Sequence, residues 1–82
     1  MRNRVYVVKG AHCFGIFLSL VLLVRKINGK NVTVVECVNV LEAREELEKA
    51  YAYLDGFDVK NIKLNKLHFI SAKTGEIYGL VK

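Results

Sequence analysis

An 82-residue chain with 52% hydrophobic residues, no proline and six glycines has material for one small domain, and excludes both a disordered chain and two domains joined by a linker. Its formal charge of +5 suits anionic partners or plain solubility. Two cysteines are too few for the disulfide framework of a small secreted scaffold, so the expectation is one domain over residues 1–82, cytoplasmic, with reduced thiols.

In chain order, "RVYVVK" (4–9) predicts a first strand ending at Gly10. The run "AHCFGIFLSLVLLV" (11–24) raises the question of a membrane helix, but 14 helical residues span roughly 21 Å against about 30 Å of hydrocarbon. Its Val24-Arg25-Lys26 end also lacks the small residues of a signal-peptide cleavage site. No membrane partner is expected.

Asn28-Gly29 is a strong hairpin signal, because both central residues of a type I′ turn need positive φ. Taken as the loop, it sets Val24 opposite Thr33, Leu22 opposite Val35 and Leu20 opposite Cys37. One face of that ribbon carries Leu18, Leu20, Leu22, Val24, Val35 and Cys37 and is expected in the core. The other carries Phe17, Val21, Leu23, Val34 and Val38 among polar residues, too apolar to be merely solvated, and is the candidate protein interface. A helix over Phe14–Val24 is the alternative, since a run apolar on both faces has no period that decides.

Asn39 followed by Glu42 predicts a capped helix from Val40, with Val40, Ala43, Leu47, Ala50, Tyr51 and Leu54 on its apolar face and Gly56 as its C-terminal stop. After it, "IKLNKLHFISAKTGEIYGLVK" alternates as two strands turning at Lys73-Thr74-Gly75, with Phe69 over Gly79 and Leu67, Phe69, Ile77 and Val81 facing the core. The alternation slips near Asn65, where a bulge or break is expected. The predicted order is β-β-β-α-β-β, an α+β domain with an antiparallel sheet of about five strands and one helix on one face.

The side chains that could carry chemistry are sparse. His12, Cys13, Cys37 and His68 are the only soft metal ligands, and their spacing matches no zinc module. Cys13 sits among apolar neighbours that raise a thiol's pKa, and His68 has no carboxylate beside it in sequence to orient the ring. No glycine pattern matches a phosphate loop. Neither an enzyme nor a cofactor is expected.

Charge is unevenly placed. Six of the eight carboxylates fall within residues 39–58, with only two of the thirteen bases. The remaining bases lie on the strands and turns, and a basic ribbon is narrow enough for a nucleic-acid groove. The chain is therefore expected to bind nucleic acid through phosphate contacts from Arg25, Lys26, Lys30, Lys63 and Lys66, with His68 and Tyr78 supplying rings. The alternative is a protein-binding module, an inhibitor or regulatory subunit, that self-associates as a homodimer through Phe17, Val21, Leu23, Val34 and Val38.

Overall fold

A computed structural model describes residues 4–54, 57–71 and 73–79. Five strands and two helices follow in the order β1 (Val5–Gly10), β2 (Cys13–Phe17), α1 (Leu20–Ile27), β3 (Val32–Cys37), α2 (Val40–Tyr51), β4 (Lys66–Ile70) and β5 (Ile77–Gly79), with a single 3-10 turn at Val59–Asn61. The strands form one antiparallel sheet in the order β3-β1-β2-β4-β5, so the α+β class and the five-stranded antiparallel sheet agree with expectation.

The Asn28-Gly29 hairpin does not form. Leu20–Ile27 is helical, and β3 pairs instead with β1, Val5 opposite Cys37 through Gly10 opposite Val32. Ser19 holds extended backbone and its hydroxyl accepts from Leu22 N (3.4 Å), the role of an N-cap. Arg25 and Lys26 occupy the last turn, where cations complement the helix dipole. Gly29, at φ +76°, ends the helix in the left-handed conformation. Asn-Gly thus supplies a helix stop, and the element order becomes β-β-α-β-α-β-β.

The second helix forms as its sequence dictates. Asn39 Oδ1 accepts from Glu42 N (2.8 Å), while Val38 N, one residue before the cap, donates to the Glu42 carboxylate (3.1 Å), a variant of the capping box. Ala43, Leu47 and Tyr51 are buried, with Val40, Ala50 and Leu54 packed around them. The predicted stop at Gly56 lies outside the described residues, as does the core role of Val81.

Each face of the sheet carries its own core. On one, α2 covers Val5, Val7, Phe14, Ile16, Cys37 and Ile70, and the Arg44 guanidinium donates to the carbonyls of Val59 and Ile62, holding the 3-10 turn beside it. On the other, α1 presses Leu23 onto Val8, Phe17 and Leu67. Between β2 and β4 the backbones crowd at Gly15, where an added Cβ would lie 2.6 Å from the Lys66 carbonyl oxygen.

Asn65 breaks the last sheet segment, as the slipping alternation predicts. It adopts φ +61°, donates its N–H to Ile16 O (2.6 Å) and accepts from Leu18 N on its side chain (2.8 Å). The hairpin that follows is one residue out of the predicted register, since Phe69 faces Tyr78 and His68 faces Gly79. Ser71 N bonds Glu76 O and Gly75, at φ +73°, closes the loop, so Ile77 joins Ile70 on the α2 face rather than Leu67 and Phe69 on the α1 face.

Candidate interaction face

The helix α1 is apolar nearly all round, and only one of its sides is used. Leu23 is buried at 1% exposure and Ile27 partly so, whereas Leu20, Val21 and Val24 remain 51%, 63% and 57% exposed, with Leu18 and Leu22 also open. Leu18, Leu20, Leu22 and Val24, expected in the core of a ribbon, therefore stand on the surface. Phe17 and Leu23, expected at an interface, are core residues of the α1 face. The reason is the change of period: alternation assigned these residues to two sides of a strand, and a helix distributes the same residues around an axis.

The apolar area continues onto the sheet. On the α1 face β3 contributes Val34, exposed and not covered by the helix, and Val38 lies exposed just past the strand end. On the far side of α1, Tyr78 stacks on Phe69 with ring centroids 6.1 Å apart. Soluble domains seldom leave several large aliphatic side chains contiguous on one short helix, and such surfaces mark sites of association.

Cations rim this face. Arg25 and Lys26 project from the end of α1, and Lys30 follows it, its ammonium 3.3 Å from the Lys26 carbonyl oxygen. Lys63 and Lys66 flank Asn65, which bonds the segment leading into α1, but Lys66 alternates with the buried Leu67 and shares the α2 face with His68, on whose ring both lysines act. Arg25, Lys26 and Lys30 thus border α1 at its C-terminal end, and Lys63 and Lys66, beside His68, do not join them in one basic ribbon. Among the described residues the sole ion pair is Arg4 Nε to Glu36 Oε1 at 3.6 Å, which leaves these five without a carboxylate within 4.0 Å.

The aromatic partners proposed for phosphate binding separate. The His68 ring lies on the α2 face, stacked on Phe14 at 5.4 Å and 7°, while Tyr78 lies on the α1 face. Burial pushes the His68 pKa below its ordinary 6.5, reinforced by Lys63 and Lys66 and opposed by the Lys63 carbonyl at 3.3 Å. Although the two rings stack on different partners, His68 and Tyr78 both border a recess of about 280 Å³ with Phe57, Asp58, Asn61 and Ile77, where Asp58 is occupied, accepting from Lys60 N and Asn61 Nδ2.

Both cysteines are buried free thiols whose pKa values burial raises, Lys30 partly opposing this at Cys13 and Glu42 adding to it at Cys37. β1 lies between their strands. Among the described residues no three of His, Cys, Asp and Glu gather as a metal-binding group, and no helix is long and apolar enough to cross a membrane.

Sequence reasoning missed Leu20, Leu22 and Val24 as surface residues. The signal was present in Ser19 ahead of "LVLL" with Arg25-Lys26 and Gly29 behind it, a capped and terminated helix of eight residues. Comparison with family models, with curated proteins and with solved structures finds no match for the chain.

Proposed function

We propose that this chain is a protein-interaction module that takes its partner on the α1 face. The observation that carries this reading is the outward side of α1, where Leu20, Val21 and Val24 are more than half exposed on a helix that contributes one fully buried side chain to its own domain. The rim selects the partner's chemistry. α1 has no acidic residue, and Arg25, Lys26 and Lys30 bound it at its C-terminal end. The fitting partner is therefore a protein surface with an apolar centre and carboxylates placed to meet that end.

The test is retention of a partner by the tagged chain. Wild type and a remote Lys60→Ala variant retain it, and Val21→Asp, a change at an exposed position that leaves the fold intact, releases it. Retention indifferent to Val21→Asp overturns the reading.

A second reading rests on the same cations, which have no carboxylate partner among the described residues: Arg25, Lys26 and Lys30 contact phosphates of nucleic acid. Its signature is an affinity that falls with salt, and replacing Arg25 and Lys26 by serine lowers the logarithmic slope by about two. Val21→Ser, which removes apolar surface without adding a carboxylate one turn from Arg25, leaves such binding in place and weakens a protein contact, which separates the two readings. Affinity that ignores salt removes the second.

A further inference from the structure

Between β4, β5 and the 3-10 turn lies the recess bordered by His68, whose lining joins aromatic rings to hydrogen-bonding side chains. Phe14, buried, backs it, with Phe57 edge-on to Phe14 at 5.4 Å and the His68 ring flat on Phe14 at the same distance. Asp58 and Asn61 supply a polar wall. At about 280 Å³ the recess falls below the roughly 300–1,000 Å³ of drug-sized sites, so it suits one flat ring system.

The hydrogen bonds in that wall fix what it offers. The Asp58 carboxylate only accepts, so the Asn61 side chain turns its nitrogen toward it (2.6 Å), which settles the orientation of the amide. The amide keeps its second N–H and its oxygen, a donor and an acceptor on one carbon. Adenine complements such a pair, because it carries an amino group beside a ring nitrogen that accepts, whereas the corresponding edge of guanine shows two acceptors. His68 Nε2–H donates to the Lys63 carbonyl (3.3 Å), so the neutral ring keeps Nδ1 as a further acceptor. Lys63 and Lys66 are exposed, both act on the His68 charge, and neither has a carboxylate within 4.0 Å among the described residues.

We propose that this recess binds an adenine nucleotide, with the base against Phe57 and His68, its edge on the Asn61 amide and its phosphate on Lys63 and Lys66. Rings for a flat base, an amide that reads it and two ammonium groups for an anion together describe this class of ligand. The site lies on the α2 face and stands whichever reading of α1 holds.

Titration of the intact chain with adenosine monophosphate (AMP), followed by calorimetry and by the imidazole proton signals of His68, tests it. AMP binds and shifts those signals, guanosine monophosphate binds about tenfold more weakly, and adenosine, without the phosphate, is also weaker than AMP. Asn61→Ala, a change at an exposed position, weakens AMP about tenfold and removes the preference over the guanine nucleotide. Lys63→Ala with Lys66→Ala lowers AMP to the affinity of adenosine, and Arg25→Ser with Lys26→Ser leaves AMP binding unchanged. An oligoadenylate offers the same base and phosphate from a strand. Affinity per base equal to that of AMP assigns the free nucleotide, and higher affinity that still needs Asn61 assigns adenine within a strand. Absence of AMP binding at millimolar concentration, equal affinity for the guanine nucleotide, or affinity unmoved by Asn61→Ala overturns the proposal.

Discussion

Tyr51 shows how one side chain fixes several backbones. Its ring is buried between Phe14 and Phe57, and its hydroxyl accepts from Gly10 N (2.9 Å) and bonds the carbonyls of Gly10 (2.7 Å) and Cys13 (3.2 Å). The phenol thereby ties α2 to the turn between β1 and β2, and burial, outweighing the hydrogen bond from Gly10, holds its pKa above 10.0. Tyr51→Phe keeps the ring and strands those backbone groups, so denaturant unfolding is expected to show a loss of about 1–3 kcal/mol. His68 makes a different prediction. Its folded pKa lies below the ordinary 6.5, so the unfolded chain binds the proton more readily. Stability from the neutral, stacked ring is complete above pH 6.5 and is lost as the pH falls through that value toward the folded pKa. The urea midpoint of wild type should decline over this window, and that of His68→Phe, which keeps the stack on Phe14, should lose this component of the slope.

At the scale of elements, α1 divides into a side that holds and a side that waits. Leu23→Ala removes a fully buried side chain from among Val8, Phe17 and Leu67 and is expected to cost about 2–5 kcal/mol. Val24→Ala, one residue on and exposed, should change the unfolding free energy by no more than about 0.5 kcal/mol. The same element shows where sequence reasoning succeeds and fails. α2 was legible because Asn39, Glu42 and the Ala43–Leu47–Tyr51 spacing all state one period. Residues 18–24 state none, being apolar at every position but Ser19, and Asn28-Gly29 offers the same left-handed glycine to a hairpin and to a helix stop. What decided between them lies far off in sequence: the open side of β1, which β3 fills and which a local ribbon would have left bare. Of the candidate site, Val21, Val34 and Val38 were recognisable as surface, because isolated valines on a mixed face read alike in either period. Phe17 and Leu23 were not, because their burial depends on which strand β2 meets.

For the whole molecule, the sheet is unequal across its width. β1 and β2 are each paired on both sides, and most of their residues are buried. β4 joins β2 over only Cys13–Gly15 against Leu67–Phe69, and β5 follows with three residues. Amide hydrogen exchange should therefore be slowest in β1 and β2 and fastest in β5, with β4 between them. Equal protection across all five strands would contradict this ordering.

The course of the chain around β1 bears on how anything docks. β2 and β3 flank β1 and run parallel to each other, and α1 is the bridge that carries the chain from one to the other across the sheet. The bridge is held at both feet, by the Asn65 latch at its start and by the pairing of β3 with β1 at its finish. On the reading proposed for α1, a visitor would meet a contour already set, and recognition is expected to follow rigid-body fit, with encounter rates governed by orientation and charge instead of by rearrangement of the host.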